Sequence, residues 1–206
     1  MNWEFLSRIA FPLSTLAFFL LALVSPTLLG RRRNGEWPIV FHKKANPFQA
    51  TMEAFFGLYL TGVAVYAALY GFLGPNTIGV FTVPKSVHLI GWGLSLAGLV
   101  GTILAQQQMG KSWRIGIDDE KTELVTHGLF AIVRNPIFSC MFLWVAGMVL
   151  VAPSGWSVMG WLGMTSLVSM QVRLEEEHLR SIHGKTYEAY ASRVGRFAPL
   201  VGRNTV

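Results

Sequence analysis

From Ile9 to Leu29 the chain is apolar almost without a break, close to the ~20 residues an α-helix needs to cross a hydrocarbon core. Two more long runs follow, Phe55 to Phe72 and Val87 to Ala105. Inside a bilayer each backbone N–H and C=O must find its partner within the protein, so continuous runs of this length fold as helices. The first run is too long for the apolar core of a signal peptide. Arg31-Arg32-Arg33 also stands where a small-residue cleavage site would be, so the run reads as a retained first span. The second is entered from a loop rich in Arg, Lys and His and closed by Gly71, Gly74, Pro75 and Asn76. The third carries Gly91, Gly93, Gly98 and Gly101, at spacings that let another helix or a ligand approach closely.

Two shorter runs, Ile137 to Ala152 and Trp156 to Met170, are joined by Pro153-Ser154-Gly155. At a rise of 1.5 Å per residue, ~15 residues reach only ~23 Å. They either continue into polar residues at the interface or form a shallow hairpin. Both options bring back to one side the polar segments that flank them, Leu124 to Phe138 and the stretch from Arg173 through Glu175, Glu176 and Glu177 to Tyr187, Tyr190 and Pro199.

The charge distribution sets the orientation. Of seventeen Lys and Arg, only Arg8 and Lys85 fall outside three segments: the loop 31–47, the stretch 106–136 and the tail from Arg173. The net charge of +6 therefore reflects the positive-inside bias rather than nucleic-acid binding. Only 14% of residues are charged against 52% hydrophobic, where soluble domains carry about 25% charged. The fold expected is all-α: one polytopic membrane domain over 1–206, with about five transmembrane helices. Its N-terminus lies outside and its C-terminus in the cytoplasm, in a bacterial plasma membrane or an endoplasmic-reticulum equivalent. Arg173 to His183 reads as a helix leaving the membrane and stopped by Gly184. Lys185 to Val194, with Tyr187, Tyr190, Ala191 and Val194 on one stripe, reads as a cytoplasmic amphipathic helical segment.

On a helix through Met170, residues 171, 175, 178 and 179 share a face, which groups Gln171, Glu175, His178 and Leu179 and turns Arg173 and Glu176 largely elsewhere. Taken alone, the three glutamates read as a solvated face just outside the bilayer, and Arg134-Asn135-Pro136 as a snorkelling arginine before a proline at the first helical position. His127-Gly128 alone is a turn. Cys140 stands in an apolar run and is the single cysteine, which rules out a disulfide framework and a cysteine zinc site. The five histidines show no ligand pair at metalloprotease spacing, and Met109 to Arg114 lacks the first glycine of a phosphate loop. A metal is not expected.

Jointly, the two polar segments resemble the isoprenylcysteine carboxyl methyltransferase and phospholipid methyltransferase superfamily of integral membrane enzymes. The resemblance rests on Leu124-Val125-Thr126, Gly128-Leu129-Phe130, Arg134-Asn135-Pro136-Ile137-Phe138, Glu175-Glu176 with Leu179, Gly184, Tyr187, Tyr190, Arg193-Val194 and Pro199, in order over about the last 90 residues. It implies S-adenosyl-L-methionine as cofactor, held by a region of about 110–200, and methyl transfer to a membrane-soluble, lipid-like or prenylated acceptor at the cytoplasmic interface. Leu124 and Val125 would line the adenosine. Phe130, Asn135, Pro136 and Phe138 would wall the cofactor, with Gly128 beside them. Glu175 and Glu176 would meet its polar part, and Arg134 and Gln171 would stand at the chemistry. Asn135 replaces the family's usual histidine, and Phe130 and Phe138 lack a tyrosine hydroxyl. Gln171 takes the place of an arginine that meets a substrate carboxylate, which leaves an amine, a thiol or another lipid carboxylate open as acceptor. The competing readings are a sterol-reductase-like NADPH oxidoreductase and a non-enzymatic scaffold anchored to anionic lipid.

Overall fold

The computed structural model describes residues 3–39, 47–116 and 123–203, and every regular element among them is a helix. His42, Lys43, Lys44 and Lys121 lie outside the described residues. Three stretches are long and apolar enough to cross a membrane: Phe5–Asn34, Phe48–Leu73 and Lys85–Ser112. Leu16, Leu58, Phe72, Leu89 and Leu96 stand exposed along them, as side chains facing lipid do.

The first stretch is one rod in three parts: α1 (Trp3–Phe19), a π-helical turn (Leu20–Val24) and α2 (Ser25–Asn34). The π turn has a local cause. The buried Gln106 side chain donates to Ala22 O at 2.7 Å, an insertion into the helical ladder of the kind that loosens a turn. α2 ends where Gly35 adopts φ +77°, a left-handed cap that favours glycine. Arg31, Arg32 and Arg33 fill its last turn and complement the negative end of the helix dipole.

α3 (Pro47–Leu73) runs back beside α1. Arg8 donates to Gly71 O and Phe72 O at 3.2 and 2.7 Å, satisfying carbonyls that the end of a helix leaves open. Phe11 stacks on Tyr70 with ring centroids 4.5 Å apart. α4 (Lys85–Met109) then packs along α5 (Pro136–Val151). Cβ atoms on Gly91, Gly98 and Gly101 would strike Gly147, Trp144 and Cys140 of α5, whereas Gly93 faces open space. Three of the four predicted small-residue positions thus make the helix contact, and the fourth does not.

α5 and α6 (Gly155–His183) form the hairpin read from the sequence. Its tip is capped by Ser154, whose side chain and that of Ser157 satisfy each other's backbone N–H. The tip also reaches the loop between α3 and α4. Phe81 N donates to Pro153 O at 2.7 Å, Tyr66 Oη lies 2.9 Å from Ser154 Oγ, and His88 Nδ1 lies 3.0 Å from Val151 O. The hairpin is therefore as deep as α4. α6 continues unbroken past Met170 to His183, ends at Gly184 with φ +50°, and is followed by α7 (Lys185–Ala191). Tyr187, Tyr190 and Ala191 are buried, so the amphipathic stripe faces the protein.

Candidate functional site

The open end of the hairpin is tied by one buried carboxylate. Glu176 Oε1 accepts from Arg134 Nε at 3.2 Å, from Arg134 Nη2 at 3.1 Å and from Asn135 Nδ2 at 3.2 Å, while Arg196 Nη2 reaches Oε2 at 2.8 Å. Arg134 is 5% exposed and has no N–H to spare. Its Nη1 donates to Ala191 O and Val194 O, and Nη2 also reaches Gly202 O at 3.1 Å. Five donors are thus engaged, the full complement of a guanidinium. Hydrogen bonding to Glu176 holds the Arg196 guanidinium above its ordinary value. The backbone completes the tie, since Arg134 N and Asn135 N donate to Gly195 O and Arg196 O. A Cβ on Gly195 would overlap Ala198 O. The tail after α7 is in this way sewn to the start of α5.

Beside this hub lies a cavity of about 70 Å³. The first polar segment contributes Leu124, Val125, Phe130, Arg134 and Asn135; Leu179, Tyr187 and Tyr190 come from α6 and α7; Met109, Ser112 and Glu123 close the remaining side. Tyr190 Oη donates to Phe130 O at 2.6 Å. Tyr187, 1% exposed, has a hydroxyl with no hydrogen-bond partner among the described residues.

Of the residues expected to hold a cofactor, Leu124, Val125, Phe130 and Asn135 meet in this cavity. Gly128 does not line it. Its glycine is needed because φ is +60° and a Cβ would strike the Gln108 side chain, whose Oε1 accepts from Leu129 N at 2.8 Å. Pro136 is buried at the first position of α5, and Phe138 packs against the apolar core. Glu176 serves the hub. Gln171 and Glu175 lie apart from the cavity and bond to each other, Nε2 to Oε1, at 2.9 Å. Burial pushes the Glu175 carboxyl up to about 7; the Glu176 charge adds to this, while the Gln171 bond and Arg114 oppose it. Arg134, expected at the chemistry, lines the cavity and also braces the chain around it.

Sequence reasoning assigned no site role to Glu123, Ser112, Met109 or Arg196. Tyr187, Tyr190 and Leu179 were legible as a motif and a helix face but not as cavity walls. Glu123 and Ser112 carry no motif; Ser112 Oγ donates to Glu123 O at 3.3 Å across the segment between them.

The donor set suits an adenosyl sulfonium cofactor. Leu124, Val125 and Leu179 offer apolar surface to a base, Phe130 an aromatic face to a cation, and Asn135, Glu123 and the unpartnered Tyr187 hydroxyl offer polar contacts. Ordinary ligand pockets start near ~300 Å³, so admitting a whole nucleoside requires these walls to part.

Fold and site together define a polytopic, helical integral membrane protein with a cavity at the open end of a helical hairpin. The phospholipid methyltransferase family model matches residues 86–186. A probable protein-S-isoprenylcysteine O-methyltransferase of Oryza sativa is 30% identical over 122 residues, covering 53% of this chain and 63% of the relative. The protein-S-isoprenylcysteine O-methyltransferase of Schizosaccharomyces pombe is 29% identical over 101 residues, covering 47% of this chain and 43% of the relative. The chain thus spans less than two thirds of these curated relatives. The solved structure of a eukaryotic intramembrane Ras methyltransferase, isoprenylcysteine carboxyl methyltransferase, superposes with a TM-score of 0.58 at 19% identity, over 96% of this chain and 77% of that one; this likeness is one of fold. Over about half its length the chain is thus similar to members of the isoprenylcysteine carboxyl methyltransferase and phospholipid methyltransferase superfamily of membrane proteins. These findings give no support to the reductase or scaffold reading.

Proposed function

We propose that this protein is an S-adenosylmethionine-dependent methyltransferase acting on a membrane-soluble, lipid-like or prenylated acceptor, with its site on the cytoplasmic side. The observation that carries this is the meeting of Leu124, Val125, Phe130 and Asn135 in one cavity. The curated relatives, named as isoprenylcysteine O-methyltransferases, support the reaction class.

The chemistry such a cofactor supplies is an electrophilic methyl: an acceptor lone pair forms the new bond as the methyl–sulfur bond breaks, sulfur leaves as a neutral thioether, and an acceptor proton, where there is one, goes to water. The chain's task is positioning and exclusion of water. Leu124 and Val125 line the adenosine, Phe130 and Asn135 wall it, and Pro136 and Phe138 stand behind them. The Arg134–Glu176–Arg196 hub holds Asn135 in place. Gln171 and Glu175, one turn apart on α6, face the acceptor side.

Calorimetric titration of the purified chain with S-adenosylhomocysteine tests the reading. We expect micromolar binding, weakened at least ~10-fold in Asn135→Ala, about 1.4 kcal/mol. Incubation with labelled methyl donor and a total lipid extract then identifies the acceptor. Absence of binding by the wild-type chain, together with no labelled lipid, would sink the proposal.

A further inference from the structure

We propose that the Tyr187 hydroxyl is the donor that recognises the carboxylate at the amino-acid end of the methyl donor, an inference resting on the cofactor reading above. A buried polar group left without a partner costs free energy, and proteins rarely leave one so. Tyr187 lines the cavity, is 1% exposed and has no partner for its hydroxyl among the described residues. Its neighbour Tyr190 shows the contrast. That hydroxyl is committed to Phe130 O at 2.6 Å and has nothing left to donate.

The charges around Tyr187 choose the ligand atom. Arg134, Arg180 and Arg196 act on it against Glu176 alone, and the Arg180 guanidinium lies 5.8 Å from its ring centroid. With Glu123 of the same cavity counted, three guanidiniums face two carboxylates, an excess of one positive charge that favours an anionic oxygen over a ribose hydroxyl. Arg134 has all five N–H groups engaged, so it contributes field rather than a direct hydrogen bond. Burial pushes the Tyr187 hydroxyl up to about 12, so it stays protonated at neutral pH and able to donate. Glu123 lines the same cavity and complements the ammonium of the same amino-acid group.

The test uses the purified full chain and two probes, S-adenosylhomocysteine and 5′-methylthioadenosine, which lacks the amino-acid end. Tyr187→Phe keeps the ring and removes the hydroxyl. A hydrogen bond to a charged group contributes enough that affinity for S-adenosylhomocysteine should fall about 10- to 100-fold. Affinity for 5′-methylthioadenosine should hold within about twofold, because that probe has no carboxylate to lose. The melting temperature should not fall, since the substitution breaks no intramolecular hydrogen bond. Unchanged affinity for S-adenosylhomocysteine overturns the assignment. An equal loss for both probes also overturns it, placing the hydroxyl on the nucleoside, and a lowered melting temperature overturns it by revealing a structural partner. If wild-type chain binds neither probe, the cofactor reading fails first; if it binds both and Tyr187→Phe is silent, only the present inference fails.

Discussion

Glu176 and Glu175 are adjacent in sequence and differ in every physical respect. Glu176 is 3% exposed and holds Arg134, Asn135 and Arg196 at once. Glu176→Gln would leave the buried Arg134 without its counter-charge. Breaking a buried ion pair from one side typically costs ~3–5 kcal/mol, so the melting temperature in detergent should drop sharply, whereas the exposed Arg193→Gln should leave it unchanged. Glu175 acts through its proton. Its folded value is raised to about 7 from 4.5, so the native state binds that proton more tightly than the unfolded chain does. Stability from this group is full below the unfolded value and is lost as pH rises from about 4.5 to about 7. Burial sets that value first, with Glu176 adding to it and Gln171 and Arg114 opposing, and Glu175→Gln removes the titration while keeping an acceptor for Gln171. Thermal melts of the two proteins should diverge as pH rises through this window, the variant being the more stable at the alkaline end; parallel curves would refute the titration. Helical spacing already separated residue 176 from the face of 171, 175 and 178. The partners of Glu176 were not legible, because Arg196 stands in an irregular segment whose path no periodicity describes.

At the scale of the element, periodicity told most. The apolar runs became helices, and the tyrosine stripe of α7 became buried. Where helices touch was written less clearly. Gly91, Gly93, Gly98 and Gly101 look equivalent in the sequence, yet a Cβ on Gly98 meets the Trp144 backbone while one on Gly93 meets nothing. Small-residue spacing signals close approach only where the partner's backbone lies opposite, as Gly147 does at Gly91 and as Cys140 and Trp144 do at Gly98. Gly98→Ala should therefore separate α4 from α5 and cost ~1–3 kcal/mol, as overpacking does. Gly93→Ala should be neutral or slightly stabilising, because alanine is the better helix former. Thermal melts of the two variants in one detergent decide it, and equal effects would contradict the packing. The π turn was invisible beforehand, because it depends on a side chain, Gln106, that reaches Ala22 from another helix.

For the whole molecule, the depth of the hairpin is what turns three long helices into a topology. The lengths of the runs 137–152 and 156–170 left open whether the chain dips or crosses. The tertiary contacts bear on this directly, because Pro153 and Ser154 bond to Phe81 and Tyr66 at the far end of α3 and α4, while Arg134 and Glu176 join at the near end. With α5 of 16 residues covering only ~24 Å, a crossing here would use a locally short helix set against longer neighbours. We propose five crossings, with the N-terminus outside and the hub cytoplasmic, in keeping with the charge bias. In a Cys140→Ser background, single cysteines at the exposed positions Asn76, Gly155 and Arg203 report on the two faces. A membrane-impermeant thiol reagent added to intact cells should label Asn76→Cys and Gly155→Cys and should reach Arg203→Cys only after permeabilisation. Labelling of Gly155→Cys together with Arg203→Cys, and apart from Asn76→Cys, would mean a hairpin that turns within the membrane and opens to the cytoplasm. The bonds from its tip to Tyr66 and Phe81 would then have to be absent in the bilayer.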